Sequence, residues 1–122
     1  MTPAPPAGMT EEEASWVEVL PLERLADQGI VCVRVEAVDL LLVREGKRII
    51  ACERACPHEQ ADLSLGSLKD GRLLCPRHLA SFDLDDGQVS AGWPSRRLRR
   101  YPVKTGNGQI WIDAATVRRS EG

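Results

Sequence analysis

The pairs Glu45-Gly46, Asp70-Gly71, Asp86-Gly87 and Asn107-Gly108 punctuate this chain, each set between short apolar or alternating runs. Such dipeptides supply the positive φ that tight β-hairpins require. They confine the chain to short antiparallel strands. The intervening runs agree. Trp16, Val17, Val19 and Leu20 end at Pro21, and Val31, Val33 and Val35 alternate with Cys32, Arg34 and Glu36. Residues 40–43 and 48–51 flank the first glycine turn, and Val103, Ile110 and Ile112 flank the last. The only helical candidate of note, residues 22–26, is too short to stand without packing. An all-β sandwich or barrel is expected.

The chain has 122 residues, enough for one domain with its own core. Residues 1–14 carry Pro3, Pro5, Pro6, Gly8 and the acidic run 11–13, and read as a disordered tail. Thr10 and Glu13 have capping-box spacing, enough for one helical turn there. The folded domain is expected over 15–114, with 115–122 as a C-terminal tail. Eighteen acids against sixteen bases give a net charge of −2, which makes no electrostatic case for nucleic acid or an anionic membrane. The clearest apolar run, residues 40–43, is far short of the ~20 residues a spanning helix needs. The N-terminus lacks the basic and apolar regions of a secretory signal, so a cytoplasmic location is expected.

In a reducing cytosol, cysteines are more often metal ligands than disulfide partners. Here both histidines stand beside a cysteine, in Cys56-Pro57-His58 and in Cys75-Pro76-Arg77-His78, with sixteen residues between the two motifs. Each motif places a thiolate and an imidazole on one loop stiffened by proline. Mixed pairs on two loops suit a two-iron, two-sulfide cluster whose unlike irons take two cysteines and two histidines respectively. A structural zinc site of two cysteines and two histidines is the competing reading. Zinc fingers usually present two cysteines first and two histidines later, so the order here favours the cluster.

Residues 56–66, Cys-Pro-His-Glu-Gln-Ala-Asp-Leu-Ser-Leu-Gly, and residues 75–84, Cys-Pro-Arg-His-Leu-Ala-Ser-Phe-Asp-Leu, followed by Asp86-Gly87, resemble the two motifs of a Rieske-type [2Fe–2S] ferredoxin. Gly92-Trp93-Pro94 is similar to the loop that covers the cluster in that family, and residues 98–112 are similar to its last strands. One residue departs from the pattern: Leu79 stands where glycine is usual after the second histidine. The resemblance implies a Rieske fold, an antiparallel base with a small inserted cluster-binding subdomain over about 52–96. It implies one [2Fe–2S] cluster per chain, held by Cys56, His58, Cys75 and His78, with the histidine edges as the electron exit. High-potential members carry a disulfide between cysteines at the positions of Ala61 and Arg77, and hydroxyls at those of Ala80 and Phe82. All are missing, so a low potential near about −150 mV is implied.

Both histidines are used by that cluster, which leaves none for the mononuclear iron of an oxygenase or for nucleophilic catalysis. No glycine-rich phosphate loop for a flavin or nicotinamide is present. The expected role is therefore non-enzymatic, with no catalytic residues and no small-molecule substrate. The resemblance implies a one-electron carrier between an NAD(P)H-dependent flavin reductase, the ferredoxin reductase, and a terminal Rieske oxygenase. The alternatives are the small subunit of an assimilatory NADH-dependent nitrite reductase and, third, a structural zinc-binding module. Cys32 and Cys52 are expected as buried thiols, and Trp16 and Trp111 as core. Trp93 is placed to shield the cluster. Arg96, Arg97, Arg99 and Arg100 read either as a solvated face or as a docking patch for an acidic surface.

Overall fold

The structure, a computed structural model, describes residues 15–57, 61–76, 80–92 and 95–121. The N-terminal tail with its capping-box spacing, both histidines, Arg77, Leu79 and the Trp93-Pro94 pair lie outside them. The described residues form ten strands and one α-helix: β1 (Trp16–Pro21), β2 (Ile30–Val35), β3 (Val38–Glu45), β4 (Arg48–Glu53), β5 (Ser67–Lys69), β6 (Arg72–Leu74), β7 (Ser81–Asp83), β8 (Arg100–Tyr101), β9 (Val103–Gly106), β10 (Gln109–Asp113) and α1 (Ala114–Glu121). They make three antiparallel sheets, ordered β1-β10-β9, β2-β3-β4-β8 and β5-β6-β7. Of the 22–26 helical candidate, only a 3-10 turn over Leu22–Arg24 forms.

The run Leu40-Leu41-Leu42-Val43 explains how these sheets stack. All four side chains are buried, which a strand achieves only when both of its faces are covered. Leu40 and Leu42 join Ala51, Tyr101, Ile110 and Ile112 in a core shared with the β1-β10-β9 sheet. Leu41 and Val43 point the other way and join Cys52, Leu63, Leu73, Phe82, Leu84 and Leu98. The central sheet is thus a wall between two cores, and the small β5-β6-β7 sheet, inserted between β4 and β8, covers its second face.

Turn chemistry follows the sequence at most corners. Asp70 and Gly71 have φ of 50° and 76°, and Asn107 and Gly108 have 55° and 73°, the doubly positive pattern of a type I′ hairpin. The β2–β3 turn adopts the same geometry with Glu36 and Ala37, at φ of 54° and 63°. Neither residue is a glycine or asparagine, so the sequence carries no signal for that turn.

Strand parity corrects three expectations. Trp111 lies between the inward-facing Ile110 and Ile112, so it faces outward and is only half-buried, its indole N–H donating to Gly106 O at 3.1 Å. Trp16 lies on the same outer face, with the Lys104 ammonium 4.0 Å above its ring. Cys32 pairs with Leu41 on the face turned to the second core, but β2 is an edge strand and the thiol is exposed. Cys52, two strands further in on the same row, is fully buried as expected.

The C-terminal residues also differ from the expected tail. Residues 114–121 form α1, which buries Ala114 and Val117 in the first core. Asp113 starts it, accepting hydrogen bonds from the Ala115 N–H at 3.1 Å and the Thr116 hydroxyl at 2.6 Å. The same carboxylate accepts the Ser15 N–H at 2.7 Å, tying the first described residue to the last helix.

Candidate metal centre

Cys56 and Cys75 occupy matching places in two hairpins. In the first, Ala55 bridges Asp62 and the Cys56 N–H donates to Ala61 O at 2.8 Å. In the second, Leu74 pairs with Ser81 and the Cys75 N–H donates to Ala80 O at 3.0 Å. Each stem therefore closes a six-residue tip that opens with cysteine and ends with alanine, and each histidine of the sequence falls inside one tip. Cys56 is 0% and Cys75 4% exposed, and both belong to the second core. The structure brings the two cysteines into one apolar setting. His58 and His78 lie outside the described residues, so their side chains are not placed.

Neighbouring polar groups fix the stems. Asp62 receives a two-pronged bond from Arg54, Nε to Oδ1 at 3.0 Å and Nη2 to Oδ2 at 2.9 Å. Asp62 also caps the 3-10 turn Leu63–Leu65, accepting from the Ser64 N–H at 3.0 Å and its hydroxyl at 2.6 Å. The Arg54 guanidinium first, and Ser64 second, hold the Asp62 carboxyl well below the usual carboxylate range. In the second hairpin, Arg72 donates to the Ser81 hydroxyl at 2.7 Å and to the Ser81 and Gln88 carbonyls at 3.2 Å.

The hairpins meet at Gly66. A Cβ there would run into the Leu74 carbonyl oxygen, the peptide that leads into Cys75, while also lying 3.2 Å from Leu63 O. Only glycine lets the turn after the first motif lie so close to the stem of the second. Neither Arg54 nor Arg72 is singled out by sequence. Asp62 carries a faint signal in its spacing to Ser64, an Asx-type cap.

Do these residues fit an iron–sulfur cluster? Two cysteines on matched tips, both turned into one apolar core and joined by no disulfide, supply the thiolate half of the donor set. Cys52 does not compete with them: burial pushes its thiol up to about 12, which leaves it protonated. Among the described residues, no three histidine, cysteine or acidic side chains converge as they would around a single metal ion.

Residues 15–102 match the Rieske [2Fe–2S] domain. The chain belongs to that family. As a Rieske domain it binds one [2Fe–2S] cluster. The ferredoxin component of the naphthalene 1,2-dioxygenase system of Pseudomonas putida is 30% identical to this Rieske chain, over 80% of it and 94% of the relative. The ferredoxin component of the alkene monooxygenase system of Xanthobacter autotrophicus is 28% identical over 84% of each chain. Among solved structures, a chain in the complex of reduced oxygenase and oxidised ferredoxin of carbazole 1,9a-dioxygenase superposes with a TM-score of 0.74. It is 27% identical and is matched over 93% of its length and 81% of this one. These relatives are ferredoxin components, and the Rieske protein described here is likewise an electron carrier rather than a catalyst. No helix among its described residues is long and apolar enough to cross a membrane.

Proposed function

We propose that Cys56 and Cys75 hold one iron of the cluster and His58 and His78 the other. We further propose that the chain carries single electrons from an NAD(P)H-dependent flavin reductase to a terminal oxygenase. The observation that carries this reading is the matched pair of hairpins, each opening on a cysteine buried in the same core. The bound cluster supplies reversible one-electron chemistry. The chain supplies the setting. The Arg54–Asp62 and Arg72–Ser81 bonds pin the stems that carry Cys56 and Cys75, so little reorganisation is asked of those two residues. The surrounding core keeps water from the thiolate side.

A low potential accords with the same surroundings. Ala61, Ala80 and Phe82 are buried beside the tips, where high-potential members place a disulfide cysteine and two hydroxyls. Without those groups, fewer hydrogen bonds draw negative charge from the sulfurs, and reduction is less favourable. The named relatives support an oxygenase as the acceptor, and none of those described above is a nitrite reductase subunit.

The test is iron and acid-labile sulfide analysis of the purified protein, with EPR of the dithionite-reduced form. Two irons and two sulfides per chain are expected, and Cys56→Ser or Cys75→Ser should lose the signal. One zinc without sulfide would overturn the ligand assignment. A reduced sample that passes electrons to no oxygenase would overturn the assigned acceptor.

A further inference from the structure

The basic strip 96–100 is not uniform. Arg96 is a structural residue: its guanidinium donates to both Glu53 carboxylate oxygens, at 2.9 and 2.8 Å, and to Arg97 O at 2.9 Å. Glu53 also accepts the Arg99 N–H at 2.9 Å, while its own N–H donates to Arg99 O at 3.0 Å. One carboxylate therefore fastens the strip along β4. Arg100 reaches the Leu84 carbonyl at 3.4 Å, and Arg54 is matched by Asp62. Arg97 and Arg99 are left exposed, and neither guanidinium has an acidic or carbonyl partner among the described residues.

Arg54, Arg96, Arg97, Arg99 and Arg100 outnumber Asp39, Glu53 and Asp62 beside them, on a chain whose net charge is −2. Asp39, which shares a groove of about 260 Å³ with Arg54, Arg96 and Arg99, is matched by Arg34 at 3.1 Å. The strip is also close to the metal centre: Glu53 precedes Cys56 by three residues, a chain reach of about 10 Å. Side chains carried on a backbone that Glu53 and Arg96 fix, yet uncompensated in charge, act on encounter rather than on folding.

We propose that Arg97 and Arg99 form a preorganised docking strip for a redox partner whose contact face carries carboxylates, and that they steer it to the metal-centre end of the molecule. This rests on the electron-carrier reading above. Small inorganic oxidants of opposite charge test it without knowledge of the partner. Each takes one electron from the reduced cluster, ferricyanide becoming ferrocyanide and hexaammineruthenium(III) becoming its ruthenium(II) form.

In the Arg97→Glu/Arg99→Glu variant, stopped-flow oxidation by ferricyanide should slow about tenfold at low salt. Oxidation by hexaammineruthenium(III) should quicken, and both differences should shrink as salt rises past the Debye limit. Equal change with both reagents, or none, overturns the strip. So does binding to phosphatidylserine vesicles that this variant loses, which would assign the strip to a lipid surface. Iron and sulfide content and thermal midpoint are measured first. A chain without cluster overturns the carrier reading, whereas a loaded, native-like variant with charge-independent rates overturns only the docking strip.

Discussion

Replacing Gly66 by alanine is the sharpest test of how the two hairpins are joined. The added Cβ overlaps the Leu74 carbonyl oxygen and sits 3.3 Å from the Leu74 carbonyl carbon, both backbone atoms that cannot rotate away. Relief needs a displacement of about an ångström between the turn and the Cys75 stem. The Cys75 N–H to Ala80 O bond, at 3.0 Å, has no such slack. Overpacking of this kind costs about 1–3 kcal/mol, and the weakened bond adds about 1 kcal/mol. For a domain of this size, a loss of about 2–4 kcal/mol lowers the thermal midpoint by roughly 10 °C. Because the displaced peptide leads into a proposed ligand, iron and sulfide content should fall as well. Gly46→Ala is the control. Its φ of +65° imposes a left-handed penalty of about 1 kcal/mol, but a Cβ there meets nothing within 4 Å, and the cluster should load fully. Thermal unfolding followed by circular dichroism, with metal analysis on both variants, decides it. A Gly66→Ala protein with the native midpoint and full iron content would show that the hairpins are not held by this contact.

Other outcomes follow from the same geometry. Asp113→Ala should cost about 2–4 kcal/mol in urea unfolding, because three donors lose their buried acceptor and α1 its cap. Burial pushes the Asp113 carboxyl up, but the bonds from Thr116, Ser15 and Ala115 outweigh it and hold it below its ordinary value. That part of the stability is full above about pH 3.9 and is lost as pH falls through the lower folded value, so the gap between wild type and variant should narrow in acid. Ala37→Gly should stabilise the protein by about 0.5–1 kcal/mol, read as a raised urea midpoint, since alanine there holds a φ of 63°. In the native protein, iodoacetamide should label Cys32 and spare Cys52, whose thiol is buried and held protonated, and peptide mass mapping reads the difference.

The sheet-forming plan was legible because turn chemistry and strand parity are local. Asp70-Gly71 and Asn107-Gly108 announced their hairpins, and the alternation of Val31, Val33 and Val35 gave their face correctly. Parity alone cannot say whether a face is covered. Cys32 and Cys52 lie on one row of one sheet, and only the edge position of β2 separates an exposed thiol from a buried one. For Trp16 and Trp111 parity is the better guide than size: Ile110 and Ile112 set the inward phase, which leaves both indoles on the outer face. At the metal centre, Cys56 and Cys75 stood out by spacing, whereas Glu53 did not. Its partner Arg96 lies 43 positions away, and no local rule links a strand-end carboxylate to a loop so distant.

The pairing of Cys52 with Arg100 has a topological consequence. The segment that carries both hairpins leaves the base from β4 and returns to it at β8 on the adjacent strand, so its two ends are held side by side by the base itself. Loop-closure entropy grows only slowly with length, and here the base already meets most of it. The turns of the hairpin segment can therefore lengthen without unseating the strands beneath it, provided Leu63, Leu73, Phe82 and Leu84 still cover Leu41 and Val43. The base has no such freedom. Its β1–β10 pairing joins the two ends of the fold, so it closes only after nearly the whole chain has been made.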